Sequence, residues 1–293
     1  MGKNSAIEWT HHTFNPWWGC VKVSAGCKHC YAETWSRRVG LDIWGARNER
    51  RFFSDAHWRE PVRWNAEAVA SKTRRRVFCA SMADVFEARS DLDWMRERLW
   101  ALIEATPALD WLLLTKRPEQ IAEKAPWGNR WPPNVWLGTT AENQLWANRR
   151  IPILLEHPAV VRFVSCEPLV GHLDLSRWMG RERSEHGINW VIAGGESGSK
   201  ARPMNPEWVR SLRDQCKRAD VAFHFKQWGQ WCPDRLDAGV SAKRLRVFDS
   251  FGKASTVVRV GKHAAGRELD GRTWDQFPTA EEGAFANEIL AAE

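Results

Sequence analysis

The sequence predicts an α/β fold, namely a partial or complete (β/α) barrel of parallel strands with a C-terminal appendage. Three observations support this class. Short apolar runs recur along the chain, helix-like stretches lie between them, and polar residues follow each run directly. A doubly wound sheet would show the same alternation of strands and helices, and it is the alternative architecture.

Six runs have the composition of strands that are buried on both faces. Each is apolar at both alternating positions and rich in β-branched or aromatic side chains, which is typical of parallel strands covered by helices. The predicted strands are RRVFCAS (75–81), DWLLLTK (110–116), NVWLGTT (134–140), VRFVSCEP (161–168), NWVIAGG (189–195) and VAFHFKQW (221–228).

Two stretches between these runs begin with helix-start signals. Ser90 and Asp93 form a Ser-x-x-Asp cap for DLDWMRERLWALIEA (91–105), whose apolar residues recur at helical spacing. Asn205 and Pro206 open the second stretch, PEWVRSLRDQCKRA (206–219), with proline at the first helical position. Strands and helices therefore alternate as they do in βαβ units.

The alternation stops near residue 232, which predicts two units. Residues 1–231 would form the barrel with an N-terminal cysteine loop, and residues 232–293 an appendage packed on it. The tail ends in a predicted helix, TAEEGAFANEILAAE (279–293), with a capping box from Thr279 to Glu282.

The composition favours a globular protein with a basic surface. Of the 293 residues, 43% are hydrophobic and 27% are charged, and the formal net charge is +7. A positive balance favours phosphate-bearing partners, although a solvated surface would show it too. The chain has 20 tryptophans, and those outside the core would offer flat surfaces on which bases stack.

The amino terminus has no secretion signal, and no run is long enough to cross a bilayer. We therefore expect a cytoplasmic protein without membrane contact. In a reducing compartment the seven cysteines are better explained as metal ligands, catalytic groups or core residues than as disulfides.

Three cysteines, Cys20, Cys27 and Cys30, lie close together in a Cx6CxxC motif. Four ligands would close a tetrahedral zinc site, whereas three thiolates can hold a 4Fe-4S cluster with one iron open to a substrate or cofactor. The alternative is a zinc site completed by His11, His12 or His29, although His29 lies between two of the proposed ligands.

The cysteine motif resembles that of a known superfamily. NPWWGC (15–20) and GCKHCYAE (26–33) resemble the cysteine loop of radical S-adenosylmethionine enzymes, particularly the branch related to spore photoproduct lyase. That superfamily usually has Cx3CxxC, so the three extra residues here would make the loop bulge. The whole chain resembles the phage and plasmid three-cysteine-motif proteins, through segments such as FCASMADVFE, LLLTKRPE and SCEPLVG.

The resemblance implies two cofactors, a 4Fe-4S cluster on the three cysteines and S-adenosyl-L-methionine. It also implies an electron donor such as flavodoxin or ferredoxin, and it allows a companion protein. The cofactor would carry the difficult chemistry, while the protein would supply positioning, electrostatics and exclusion of water.

Polar residues that follow the predicted strands are candidates for binding S-adenosylmethionine, because strand ends converge on one rim. Asp84 would accept a hydrogen bond from the amino group, and Lys116 or Arg117 would face the carboxylate. Glu142 and Asn143 would hold the ribose hydroxyls. For each of them the alternative role is a helix cap or a structural ion pair.

Two further residues are candidates at the same rim. Glu196 belongs to a Gly-Gly-Glu triplet that resembles in composition the one with which the superfamily holds the amino group. Because the triplet follows a late strand, Glu196 is kept as a cofactor-binding candidate by its position at the rim alone. Cys166 is the candidate catalytic residue, since a thiol there could give a hydrogen atom to a substrate radical. Its alternative role is a small buried side chain.

Three functions remain open at this point. The first is a radical enzyme that acts on a nucleic acid base or a nucleotide. The second is a nucleic-acid-binding or partner-binding protein with a structural zinc site, whose affinity would fall steeply with salt. A thiol-based hydrolase or nuclease that uses Cys166 with a histidine has no sequence signature and ranks last.

Overall fold

A computed structural model describes residues 2–180, 187–234, 239, 241–249 and 252–278 of the chain. Seven parallel strands form its main sheet in sequence order, and the sheet curls into a half-barrel. The strands are β1 (His12–Thr13), β2 (Arg75–Cys79), β3 (Leu109–Thr115), β4 (Val135–Thr140), β5 (Val161–Cys166), β6 (Trp190–Gly194) and β7 (Ala222–Gln227). The predicted partial (β/α) barrel is confirmed.

Helices connect the strands and cover the outer face of the sheet. They are α1 (Tyr31–Arg38), α2 (Asp55–Trp58), α3 (Glu60–Ala70), α4 (Asp93–Glu104), α5 (Ile121–Lys124), α6 (Gln144–Leu155) and α7 (Pro206–Ala219). The bounds of α7 match the prediction, because the Asn205 side chain accepts a hydrogen bond from the Glu207 N–H at 2.9 Å and Pro206 occupies the first turn.

One local expectation was wrong, and one strand was missed. No side-chain cap from Ser90 starts α4. Instead, a 3₁₀ turn (Ser90–Leu92) leads directly into the helix. Strand β1 was not predicted, because a two-residue strand has no apolar run to signal it. It forms by pairing with β2, with His12 opposite Val77 and Thr13 opposite Phe78.

The sheet has an apolar layer on each face. The outer layer packs the strands against the helices and contains most of the buried apolar residues. The inner layer is a smaller aromatic cluster that includes Trp9, Trp136 and Trp190. Gly138 on β4 is required there, because the Phe163 ring lies 2.4 Å from the point where a Cβ atom would stand. The inner cluster thus closes the half-barrel below the carboxyl ends of its strands.

The chain after β7 forms a second, antiparallel sheet. Strands β8 (Trp231–Pro233), β9 (Arg244–Phe248) and β10 (Ala254–Arg259) pair in the order β8-β10-β9, and the short helix α8 (Lys262–Ala265) follows. Residues 274–276 then lie along the free edge of β7, where the Phe225 N–H donates to the Trp274 carbonyl at 2.9 Å. The helix predicted over 279–293 lies outside the described residues. Among the residues that the structure describes, no helix combines the length and the hydropathy of a membrane span.

Candidate functional site

A cavity at the carboxyl edge of the main sheet contains all three cysteines of the Cx6CxxC motif. Cys20, Cys27 and Cys30 line this cavity, which has a volume of about 180 Å³. These three thiols are partly exposed, whereas Cys79, Cys166, Cys216 and Cys232 are buried. We call this space the thiol cavity. Its other polar residues are Lys22 and Tyr31 near the cysteines and, from the strand ends, Ser81, Asp84, Thr115, Lys116, Arg117, Thr140, Ser165, Glu167 and Lys226.

The cysteine loop begins where β1 ends and is tied to the sheet by its backbone. The Gly19 N–H donates to the Met82 carbonyl at 3.0 Å, and the Asn15 side chain accepts from the Met82 N–H at 2.7 Å. Gly19 has φ +115°, and a Cβ atom there would stand 2.4 Å from the Ile43 carbonyl oxygen. Only glycine fits this conformation and this close approach. The chain therefore delivers Cys20 to the cavity directly beside the end of β2.

Arg117 lies against the first thiol. Its Nη1 is 3.6 Å from Cys20 Sγ and 2.9 Å from Asp84 Oδ2, and its Nη2 donates to the Val21 carbonyl at 2.7 Å. Burial raises the pKa of Cys20 to about 12, although the positive charge of Arg117 acts in the opposite direction. Burial also raises the pKa of Cys30. Binding of a metal to these thiols would displace their protons to solvent.

Asp84 has no acceptor capacity left for a ligand. Its carboxylate receives hydrogen bonds from Thr115 Oγ1 at 2.7 Å, the Lys116 N–H at 3.0 Å, Arg117 Nη1 at 2.9 Å and the Phe86 N–H at 3.1 Å. Asp84 thus lines the cavity as expected, but in this structure it holds Arg117 in place rather than offering a free oxygen.

Glu142 and Asn143 do not line the thiol cavity. Glu142 is fully buried, and its Oε1 accepts the Gly26 N–H at 2.8 Å while its Oε2 lies 3.0 Å from Arg150 Nη1. The Asn143 side chain caps α6 by accepting from the Trp146 N–H at 3.2 Å. Glu142 therefore holds the backbone between Cys20 and Cys27, and Asn143 has the cap role that was its alternative.

Glu196 also lies outside the cavity and acts on the same loop through an arginine. Its carboxylate pairs with Arg202, whose Nη2 lies 2.6 Å from Glu196 Oε1 and donates to the Ala25 carbonyl at 3.0 Å. Together, Glu142 and Arg202 hold both sides of the 3₁₀ turn that ends at Cys27. We call these two residues the loop clamp.

Cys166 lies on the other face of β5. It is fully buried in the outer layer, together with Cys216 and Leu212, and it does not line the cavity. Its neighbour Ser165 lines the cavity instead, because successive side chains of a strand point to opposite faces. Strand alternation could have shown this from the sequence, since Phe163 and Ser165 share a face.

Three lysines bring positive charge to the cavity wall, and one of them, Lys22, is paired with Glu33 at 2.5 Å. The Lys226 ammonium lies 3.2 Å from Glu167 Oε1, on the side formed by β5 and β7. Lys116 lines the opposite part of the wall. Lys226 and Glu167 lie at the ends of predicted strands and were expected at this rim, but no binding role was assigned to them, because nothing local distinguishes their ion pair from a surface one. The floor below them is apolar and contains Trp9, Phe78 and Leu114.

The histidines that would complete a zinc site lie elsewhere. His11 and His12 line a separate cavity, where His11 Nδ1 accepts the Arg76 N–H at 2.8 Å and the His12 ring stacks on Trp64. His29 does not line the thiol cavity. No three His, Cys, Asp or Glu side chains in the described part of the chain converge as ligands of a single metal ion. The three thiols lie around one cavity, and three is the number of protein ligands that a 4Fe-4S cluster with one open iron requires.

Fold and site define an α/β half-barrel that has a cysteine-lined cavity at the carboxyl ends of its strands. The chain belongs to the family described as Protein of unknown function (DUF5131), whose model matches residues 4–278. No curated protein matches the chain. The resemblance to phage and plasmid proteins stays a prediction.

Solved structures of spore photoproduct lyase are among those similar to the chain. One is the enzyme complexed with dinucleoside spore photoproduct, at 12% identity and a TM-score of 0.45, covering 88% of this chain and 71% of that chain. Another is a double mutant with bound AdoMet and dinucleoside spore photoproduct, at 13% identity and a TM-score of 0.42, covering 88% and 73%. Scores this low assign no function, so the function is argued from the residues of this chain.

Proposed function

We propose that the chain is an iron–sulfur enzyme of the radical S-adenosylmethionine type that acts on a nucleic acid base or a nucleotide. One observation carries the proposal: the three cysteines of the Cx6CxxC motif line a single cavity at the carboxyl ends of parallel strands. In open and closed parallel sheets this edge is where ligands bind.

The cysteines supply the donor set that the group requires. Three thiolates would hold a 4Fe-4S cluster and leave one iron for a ligand that carries nitrogen and oxygen donors. When bound, the cluster and S-adenosylmethionine would supply one-electron cleavage of the sulfonium. Every other task falls to side chains of the protein.

The cavity wall offers side chains for those tasks. Arg117 sets a fixed positive charge 3.6 Å from Cys20 Sγ, which favours the thiolate that a metal needs. Lys116 and Lys226 would orient a carboxylate or a phosphate, and the carboxylate is the group predicted for Lys116 from the sequence. The apolar floor, with Trp9 and Phe78, would exclude water and pack against a flat ring. Cys166 takes no part, because it faces away from the cavity.

Metal content tests the proposal directly. Anaerobic reconstitution should give about four iron and about four sulfide ions per chain, with a broad visible absorbance. Cys20→Ala should abolish both. Cys216→Ala is the matched control, because it removes a buried thiol outside the cavity and should leave the iron content unchanged. Colourless protein with one tightly bound zinc would refute the proposal in favour of the structural-zinc alternative.

Turnover is the second test. The reconstituted, chemically reduced protein should convert S-adenosylmethionine to methionine and 5′-deoxyadenosine, and addition of oligonucleotides should increase that conversion if a nucleic acid is the substrate. Flavodoxin or ferredoxin should replace the chemical reductant. A loaded cluster without any cleavage, in the presence of every reductant, would limit the function to binding.

A further inference from the structure

A run of aromatic side chains leads away from the thiol cavity over the protein surface. It consists of Trp35 on α1, Trp18 in the cysteine loop and Phe53 in the segment before α2, with Arg51 stacked on it. We call these four residues the aromatic strip. Trp35 is 37% exposed, while Trp18 and Phe53 are half-buried, so the strip combines one accessible ring with two partly accessible ones.

The strip is continuous and ordered by ring contacts. The Trp18 ring centroid lies 5.0 Å from that of Trp35 and 5.0 Å from that of Phe53, in edge-to-face geometry on both sides. The Arg51 guanidinium lies 4.7 Å from the Trp18 centroid and 5.7 Å from that of Phe53. Trp18 and Arg51 also exchange backbone hydrogen bonds of 2.9 and 3.0 Å, which fixes the two segments side by side.

The strip meets the cavity at α1. Tyr31, the first residue of this helix, lines the cavity, and its hydroxyl donates to the Ser81 carbonyl at 2.8 Å. Trp35 lies one helical turn further along, on the same face as Tyr31. In the middle of the strip, Trp18 lies two residues before Cys20. A chain lying on the strip would therefore reach the thiols at either end of the cysteine loop.

Charge selects the class of partner. Arg38, Arg47 and Arg51 are exposed and form no ion pair within the described residues, while Arg37 pairs with Glu33. Of the five arginines in residues 35–53, Arg50 is buried against Glu87, so the charge offered to a partner comes from Arg38, Arg47 and Arg51. Aromatic faces alternating with free guanidinium groups are the pattern that binds the bases and phosphates of single strands.

We propose that the aromatic strip binds single-stranded nucleic acid, with bases stacked on Trp35 and its neighbours and phosphates on the arginines. The inference rests on the proposed function, for which it specifies the substrate class. A duplex keeps its base faces stacked inside, so it could use only the charges of the strip.

Binding of labelled oligonucleotides to the metal-free protein tests the inference without relying on catalysis. The metal-free protein should bind a single strand of about 16 nucleotides more tightly than the duplex of the same sequence. Trp35→Ala should weaken single-strand binding about tenfold, and Trp35→Phe should retain most of it. Phe248→Ala is the matched control, because Phe248 is an exposed aromatic residue on β9, at 55% against 37% for Trp35.

The arginines have their own signature. Removing Arg38 and Arg47 together should lower the salt dependence of single-strand binding, by about 0.7 in logarithmic slope for each lost phosphate contact. Arg63→Ala, an exposed arginine on α3, should leave the slope unchanged. Melting curves like that of the unmodified protein would show that the variants are folded.

The inference would be overturned if Trp35→Ala bound the single strand as tightly as the unmodified protein does. Preferential binding of the duplex, or no binding of single strand or duplex, would also overturn it. The last result would assign the strip to a protein partner. These outcomes are independent of iron content, so failure of the strip is distinguishable from failure of the cluster.

Discussion

Replacing Glu142 by alanine is the sharpest test of how the cysteine loop is held. The side chain is fully buried and has two partners, the Gly26 N–H at 2.8 Å and Arg150 Nη1 at 3.0 Å. The substitution would leave a buried backbone donor without an acceptor and a buried guanidinium without a counter-charge. Arg150 depends on this carboxylate, because only its Nη1 is hydrogen-bonded, to Glu142 and to the Thr140 carbonyl, while Nε and Nη2 have no partner within the described residues.

The structure allows the size of the effect to be worked out. Removing one partner of a buried ion pair costs about 3–5 kcal/mol, because the other charge stays buried and uncompensated. For a chain of this size each kcal/mol lowers Tm by about 2–4 °C, so the expected fall is roughly 6 to 20 °C. Glu142→Gln should lie between the two proteins, since its amide oxygen still accepts the Gly26 N–H.

Calorimetry of the metal-free protein measures the stability, and the reaction of the thiols with a disulfide reagent measures the loop. Glu142→Ala should lower Tm and speed the reaction of Cys27, which follows Gly26 directly. Glu156→Ala, at the carboxyl end of the helix α6 that follows Glu142, is the control. Its exposed carboxylate forms no ion pair in the described structure, so the change should stay within about 0.5 kcal/mol.

Two results would refute this reasoning. If Glu142→Ala melted within about 2 °C of the unmodified protein, the buried pair would not be formed as described. If Tm fell but the thiol reaction kept its rate, Glu142 would stabilise the barrel without holding the cysteine loop.

Three further changes have expected outcomes. Burial lowers the pKa of His224 to about 4, so the stability linked to its neutral form is complete above its unfolded pKa of about 6.5 and is lost as the pH falls towards 4. Between pH 7 and 4, the free energy of unfolding of His224→Phe should therefore fall by roughly 3 kcal/mol less than that of the unmodified protein, as measured by denaturant titration. Parallel pH profiles of the two proteins would contradict this. Gly138→Ala should cost about 1–3 kcal/mol of unfolding free energy, because its Cβ would overlap the Phe163 ring, and an unchanged midpoint would show that the ring can move. Arg117→Ala should lower the iron content after reconstitution, because the charge beside Cys20 is lost, and full iron content would assign Arg117 a purely structural role.

Much of the fold was predictable because its signals are local. All six predicted strands match β2 to β7 to within about two residues, since a strand buried on both faces must be apolar at successive positions. Helix α7 carried its own start signal at Asn205. Strand β1 carried none, because two residues gain their conformation only from the neighbouring strand.

The candidate site was predictable in part for the same reason. The cysteine spacing singled out Cys20, Cys27 and Cys30, and the structure brings all three to one cavity together with Asp84, Lys116 and Arg117. The other candidates lie elsewhere. Residue type and rim position do not show on which face of a strand a side chain lies, and Cys166 faces the helices.

By itself the sequence determined the order of strands and helices, the edge where their ends meet and the three thiols at that edge. Only the tertiary structure decided which carboxylates are free. Asp84 is saturated by four donors, and Glu142 and Glu196 serve the cysteine loop through Gly26 and Arg202. The buried Glu142 carboxylate and its partner Gly26 are 116 residues apart in the chain. A buried charge needs such a partner because it has lost its contact with water, but no local sequence pattern shows where the partner is.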